Sequence, residues 1–138
     1  MAWVKQEIVI EAPVADVWAV IKDFEQGPVR MSPGLVAESK LDAPDVRVVT
    51  FASGVVVRER LISLDDEEHR FAFSIIGDSV TPAHDNGTMQ VFALDNGHSR
   101  FVWTHDVLPA ELAAAFAPVM EQGSAQFKKV VESAVAEG

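Results

Sequence analysis

The sequence predicts an α+β domain in which a curved antiparallel sheet of about seven strands surrounds a long C-terminal helix. Three observations lead to this prediction. A strand pattern is followed directly by a helical pattern, a run of short β-rich segments is divided by turn residues, and the last third consists of strong helix formers. The predicted order is a strand, two short helices, the remaining strands and the long helix.

The first strand and helix are defined by alternation and by a proline. Residues 4–11 alternate loosely and are rich in β-branched side chains, as expected of a strand. Pro13 then suits the start of a helix, where its missing N–H costs nothing. The helix has one apolar face, formed by Val14, Val17, Trp18 and Ile21. A second short helix is expected to reach Met31.

The middle of the chain predicts an antiparallel meander. Turn residues recur at short intervals, and Asn96-Gly97 between two β-rich runs is the strongest hairpin signal. The strands are expected at residues 35–41, 46–52, 55–64, 69–77, 86–95 and 99–108.

The chain from Pro109 onward predicts the long helix. Pro118 lies inside this stretch and is expected to kink the helix or to mark the first turn of its main part. An apolar face of this length has to be buried, and the concave side of the sheet is the large partner available. That face comprises Leu112, Phe116, Val119, Met120, Gly123, Phe127, Val130, Val131 and Ala134.

Composition narrows the class of protein. A length of 138 residues suits a single domain spanning residues 1–138, and 49% hydrophobic with 23% charged residues is typical of a globular chain. The net charge of −10 opposes binding to nucleic acid or to anionic membranes. No apolar run approaches the roughly 18 residues of a membrane span, so no membrane insertion is expected.

Several kinds of site are also disfavoured. The chain has no cysteine, which removes disulfides and thiolate chemistry, and its N-terminus lacks the pattern of a signal peptide. A cytoplasmic location is therefore expected. The histidines and carboxylates show no metal-ligand spacing, and the glycines form no phosphate-binding loop, so neither a metal nor another cofactor is predicted.

Three stretches of the sequence resemble a known superfamily. The chain is similar to the START-like (SRPBCC) proteins, which include the birch-pollen allergen group, polyketide cyclases and dehydrases, and the plant abscisic-acid receptors. The similarity covers essentially the whole chain and implies a helix-grip fold, a scaffold that hosts both binders and enzymes. It is carried by residues 8–24, by residues 53–67 and by residues 73–77 with the strand of Trp103 behind them.

The second and third stretches look most like the abscisic-acid receptors. The resemblance implies that Glu59 is a cavity glutamate, with Val49, Phe51, Phe73, Ile75 and Thr88 around the same cavity. The departures weigh against hormone reception. Val36 stands where the receptors have a lysine for the hormone carboxylate, the gate segment at 53–57 lacks a proline, and no latch motif occurs at 77–82.

Strand periodicity predicts which side chains face the cavity. If Glu59 points inward, its own face includes Val57 and Leu61, and each later element contributes a similar set. The predicted lining is completed by Phe71, Phe73 and Ile75, then Asn86, Thr88, Gln90 and Phe92, then Phe101, Trp103 and His105, and from the helix Phe116, Met120, Gly123 and Phe127. Such apolar linings build ligand pockets of roughly 300–1,000 Å³. The alternative is that these side chains simply fill a core.

Two residues are weak candidates for chemistry, although no catalytic residue is predicted. Glu59 on an apolar face is a candidate general acid or base, or else a carboxylate satisfied by Arg30, His105 or water. His105 is the second candidate, and its neighbour Asp106 should point to the opposite face of the strand.

These observations favour a binder or carrier of a small hydrophobic molecule, oriented by Glu59, Gln90 and His105. A cyclase- or dehydratase-like enzyme using Glu59 or His105 as general base is the alternative. A protein-interaction module with a collapsed cavity is a third hypothesis.

Overall fold

A seven-stranded antiparallel sheet and a long C-terminal helix form the domain, as the sequence predicts. The computed structural model describes residues 2–138. In chain order the elements are β1 (Trp3–Ile10), α1 (Val14–Ile21), α2 (Gly27–Met31), β2 (Val36–Ala43), β3 (Val46–Phe51), β4 (Val56–Asp65), β5 (Arg70–Asp78), β6 (His84–Ala93), β7 (Ser99–Leu108) and α3 (Glu111–Glu137).

The strands from β2 to β7 pair with their neighbours in the chain, and β1 pairs with β7. β1 and β2 are therefore the two edges of the sheet. The predicted hairpin between β6 and β7 is present, and Gly97 adopts a positive φ of 83° that favours glycine. The Leu94 N–H donates to the His98 carbonyl at 2.9 Å and closes this turn.

Helix α1 forms one wall of the core. It buries Val17, Trp18, Val20 and Ile21, so its apolar face is close to the predicted one. Pro13 immediately precedes the helix in an extended conformation and donates no hydrogen bond there. The α1 side chains pack with Phe71, Phe73, Phe101 and Phe127 in a single cluster of buried residues.

Helix α3 runs from Glu111 to Glu137, with Pro118 inside it. Its buried residues are Ala113, Met120, Gly123, Ser124, Phe127 and Val131, whereas the predicted face members Val119 and Ala134 are exposed. The helix packs against β1 and β7. Across residues 2–138, no helix combines the length and apolar composition needed to cross a membrane.

The predicted inward face of β6 is wrong by one residue. Asp85, Gly87, Met89 and Val91 are buried, while the alternate positions face the other side of the sheet. Thr88 contacts Thr104 through their hydroxyls at 2.6 Å, and the Gln90 amide donates to the Glu68 carbonyl at 3.1 Å. The Arg100 guanidinium lies over the Phe92 ring, and its central carbon is 4.8 Å from the centre of that ring. Met89 and Val91 are part of the buried core, and their burial determines which face of β6 points inward.

Candidate functional site

A cavity lies between the sheet, helix α2 and the middle of helix α3, and its volume is about 60 Å³. Its wall is mostly carbon, with one buried arginine and one buried glutamate. It is lined by Ile21, Gly27, Pro28, Met31, Ser32, Leu35, Val36, Arg47, Val49, Phe51, Glu59, Phe71, Phe73, Met89, Trp103, Val119 and Gly123.

This volume is far below the expected range. Ligand pockets usually measure roughly 300–1,000 Å³, and an apolar cavity of about 150 Å³ is of a size that accepts benzene. Side chains from α2, α3 and the sheet fill much of the space that the sequence predicts to be hollow. A ring-sized ligand therefore requires the wall to move.

The least buried part of the wall lies at the side of the cavity nearest to solvent. Leu35, Phe51 and Val119 line the cavity and are partly or largely exposed, unlike most other lining residues. The Ala52 N–H donates to the Leu35 carbonyl at 2.9 Å and joins the residue after β3 to the segment before β2. The segment at 77–83 contributes no lining residue.

The polar centre of the cavity is a salt bridge between neighbouring strands. Arg47 Nε on β3 donates to Glu59 Oε1 on β4 at 2.8 Å, and the two side chains are only 5% and 11% exposed. Their Cα atoms are register partners across the β3–β4 ladder, so both project from the same face of the sheet. Arg47 Nη1 also donates to the Phe24 carbonyl at 3.0 Å.

Three aromatic rings surround the Arg47 guanidinium. Its central carbon lies 4.8 Å from the ring centre of Phe24, 5.2 Å from Phe71 and 5.6 Å from Phe73. Arginine suits this position because its planar, weakly hydrated cation stacks on aromatic faces and retains spare donors. The rings fix the guanidinium and exclude water from most of its surface.

Three polar side-chain atoms of the lining residues have no hydrogen-bond partner within residues 2–138. Arg47 Nη2 and Glu59 Oε2 make no hydrogen bond within the described part of the chain. The indole N–H of Trp103 is buried and likewise has no acceptor there. Arg47 Nη2 and the Trp103 indole N–H are donors that would stabilise water or a ligand oxygen, whereas Glu59 Oε2 is an acceptor that would stabilise water or a ligand O–H or N–H.

The structure divides the predicted binding residues into three groups. Val49, Phe51, Glu59, Phe71, Phe73, Trp103 and Gly123 line the cavity. A second group lies outside the lining and belongs to the packed interior or its margin: Val57, Ile75, His105, Phe116, Met120 and Phe127. The third group, Thr88, Gln90 and Phe92, faces away from the interior, so the prediction that these side chains line the cavity is wrong.

His105 is buried, but its partner is Asp85. His105 Nδ1 lies 2.7 Å from Asp85 Oδ1, whereas Asp106 is exposed on the other face as predicted. The imidazole packs edge-on against Phe73 and Phe116, with ring centres 5.3 and 5.1 Å apart. His105 therefore packs against Phe73, which lines the cavity, but does not line the cavity itself.

Sequence reasoning missed Arg47 and Asp85. Arg47 alternates with Val49 and Phe51 on β3, so period-two logic places it on their face, but a charged residue is rarely assigned to an interior. The predicted strand at residues 86–95 excludes Asp85, which lies inside β6. Within residues 2–138, no three His, Asp or Glu side chains are grouped to hold a metal ion.

A larger groove between α1 and the end of α3 is a weaker candidate site. Its two charged residues, Asp16 and Arg30, are exposed, and the groove opens to solvent. The cavity around Arg47 and Glu59 differs because its charges are buried.

Comparisons with known proteins agree with this architecture. The chain is similar in fold to the protein XoxI from Bacillus cereus, with a TM-score of 0.77 and 21% identity over 97% of this chain and 95% of that one. The crystal structure of an uncharacterised protein from Bacillus thuringiensis also has a TM-score of 0.77 and 21% identity, over 96% and 98% of the chains. A comparison with curated proteins found no match.

The family assignment comes from a sequence model. The model described as "Polyketide cyclase / dehydrase and lipid transport" matches residues 1–132, almost the whole chain. This match agrees with the resemblance to the START-like superfamily and with the helix-grip arrangement of sheet and helix. The protein therefore belongs to the polyketide cyclase/dehydrase and lipid transport family.

Proposed function

We propose that this protein binds or carries a small, mostly apolar molecule in the cavity between the sheet and helix α3. The observation that carries the proposal is the buried Arg47–Glu59 pair on an otherwise carbon-rich wall. A buried ion pair is weak evidence for stability, since apolar residues of similar volume often serve a core equally well. Spare hydrogen-bonding atoms beside apolar surface are typical of ligand pockets.

Affinity in this scheme comes from burial of carbon. Transfer of apolar ligand surface from water contributes roughly 25 cal/mol per Å², before the entropic cost of association. Because the unliganded cavity is about 60 Å³, entry of a ring-sized molecule displaces Leu35, Phe51 and Val119 outward. The ligand then occupies the volume that these side chains vacate.

The experiment is native mass spectrometry of the protein purified under non-denaturing conditions, compared between two valine variants. Val49 lines the cavity, whereas Val48 points to the other face of β3. We expect a small-molecule adduct on the wild type and on Val48→Phe, and its loss from Val49→Phe. Equal adducts on both folded variants, or no adduct on the wild type together with no binding of toluene in solution, would refute the proposal.

A cyclase- or dehydratase-like reaction in the same cavity is the second candidate. It is favoured by the family description and by Glu59 Oε2, a carboxylate oxygen without a partner in the described residues. In this role Oε2 accepts a proton from a carbon or hydroxyl of the substrate, while Arg47 holds the Glu59 side chain in place.

The two candidates differ in their response to Glu59→Gln. The amide keeps the shape of the side chain but removes the proton acceptor. Under the enzyme hypothesis, turnover of the co-purifying molecule falls by about 100-fold or more. If the wild type leaves that molecule chemically unchanged, the carrier hypothesis stands and the enzyme hypothesis is rejected.

A further inference from the structure

We infer that the cavity selects neutral ligands whose polar end carries a hydrogen-bond donor beside an acceptor, such as a carboxamide or a hydroxy ketone. The inference rests on the proposed function and specifies the chemistry of the ligand. It starts from the charge of the site, because Arg47 and Glu59 cancel each other at a separation of 2.8 Å. Among residues 2–138, no other charged side chain lines the cavity.

The cancelled charge disfavours ionic ligands. A carboxylate that approaches Arg47 also meets the Glu59 carboxylate, and a cation that approaches Glu59 meets the Arg47 guanidinium. Each ion would lose its hydration in a carbon-lined space and recover little of that energy from a neutral pair. A neutral polar group has a much smaller desolvation cost.

The unused atoms define the complementary group. Arg47 Nη2 donates, Glu59 Oε2 accepts, and the two belong to side chains already joined through Nε and Oε1. A group with one acceptor and one donor side by side extends this pairing on both atoms. The buried indole N–H of Trp103 adds a second donor in the wall, so another ligand oxygen is favoured there.

The aromatic rings make this selection stringent. Phe24, Phe71 and Phe73 lie against the guanidinium and prevent it from swinging toward a different partner. A ligand that satisfies only one of the two free atoms covers the other without pairing it. Such an unpaired buried atom weakens binding by about tenfold or more.

The test uses three probes of nearly identical shape: benzamide, which is neutral, benzoate, an anion, and benzamidinium, a cation. Toluene serves as the apolar control. Binding to the full chain is followed by the NMR signal of the Trp103 indole N–H, assigned with Trp103→Phe. We expect benzamide to bind about tenfold more tightly than either ion and more tightly than toluene.

Two variants test the origin of the preference. Glu59→Gln leaves the Arg47 charge uncancelled, so the preference should shift from benzamide toward benzoate by about tenfold. Arg47→Met leaves the Glu59 charge, so the shift should be toward benzamidinium. Arg58→Met is the control, because Arg58 on the outer face of β4 pairs with Asp42 and Asp78 and should leave the order of probes unchanged.

The outcomes separate this inference from the proposed function. Toluene binding with no preference among the three probes, or a wild-type preference for benzoate or benzamidinium, overturns the inference and leaves the proposed cavity binding intact. Failure of all four probes to bind overturns the inference, and together with the absence of an adduct on the wild type it overturns the proposed function as well. The wild-type comparison decides the matter even if one of the variants does not fold.

Discussion

His105 Nδ1 lies 2.7 Å from Asp85 Oδ1, with the two side chains 3% and 0% exposed, so the pair joins β6 to β7 inside the domain. The other carboxylate oxygen of Asp85 accepts the Ile75 N–H at 2.8 Å. The register between β5 and β6 ends at Phe73 and Gly87, and Asp85 therefore replaces the backbone partner that Ile75 lacks. Three neighbouring strands are held by one carboxylate.

Asp85→Asn should destabilise the fold. The amide can keep the Ile75 N–H only through its single oxygen, so its NH2 must face His105, which has to take the tautomer in which Nδ1 accepts, and the stronger hydrogen bonds to a carboxylate are lost. We expect the free energy of unfolding to fall by about 2 kcal/mol. Urea denaturation measures this change. Asp106→Asn, on the exposed face next to His105, is the control and should change stability by less than about 0.5 kcal/mol. Equal effects of the two substitutions would show that the buried pair is unimportant.

Gly87→Ala should also be destabilising, because of steric overlap. A Cβ at this position would lie 2.7 Å from His105 Cε1 and 2.8 Å from Phe73 Cζ. We expect a loss of about 1–3 kcal/mol, measured as a shift of the urea midpoint. Phe73→Leu removes ring atoms from this contact, so in the double variant the two losses should be less than additive. Strict additivity would argue against the overlap.

Arg47 and Glu59 should show strong coupling in a double-mutant cycle. Arg47→Met alone leaves a buried carboxylate without its counterion, which costs about 3–5 kcal/mol. Adding Glu59→Leu removes that carboxylate, so the double variant should be more stable than Arg47→Met. Thermal and urea unfolding of the variants give the coupling energy. Arg60→Met is the matched control, because Arg60 lies on β4 next to Glu59 and its side chain is exposed. A double variant as unstable as the sum of the singles would contradict the pairing.

Glu132 should make stability depend on pH. Its pKa lies below the ordinary value of 4.5, first because the Glu11 N–H donates to it and then because the Lys128 side chain does. A lowered pKa in the folded state stabilises the fold above the ordinary pKa, and this contribution is lost as the pH falls through the folded-state pKa. The stability difference between wild type and Glu132→Gln should therefore be largest near neutral pH and shrink on acidification. Glu137→Gln, at the exposed end of α3, should show no such trend.

The contacts of Lys128 and Glu132 with the end of β1 also protect the edge of the sheet. Lys128 donates to the Val9 carbonyl at 2.9 Å while Glu132 accepts the Glu11 N–H at 2.7 Å, so α3 occupies backbone groups at the end of edge strand β1. Covering an exposed strand edge is a common protection against pairing with other chains. Lys128 and Glu132 are one helical turn apart, which is why both reach the strand.

The fold was accessible from the sequence because its signals are local. Pro13 before an apolar helical face, Asn96-Gly97 between two β-rich runs and the long helical pattern after Pro109 each specify an element without reference to the rest of the chain. Six strands then follow from the turns between them. For β7 the predicted bounds, residues 99–108, agree with the structure at both ends.

The inward face of β6 was not predicted correctly from the sequence. The odd-numbered positions of residues 84–93 are the more apolar, but Phe92 and the implied cavity position of Thr88 both favour the even-numbered ones. Packing of Met89 and Val91 against the α1 side of the core decides the register, and Phe92 is instead covered by Arg100 on the outer face. The alternation is local, but the choice between the two faces is made by distant residues.

The sequence by itself determined the order of elements, because periodicity and turn chemistry act over a few residues, and its resemblance to the START-like proteins implied the family and the inward position of Glu59. Tertiary structure decided that Glu59 pairs with Arg47, that His105 pairs with Asp85 and that side chains reduce the cavity to about 60 Å³. Partners on different strands, and the volume left between a sheet and a helix, depend on how whole elements pack. No pattern within a single element contains that information.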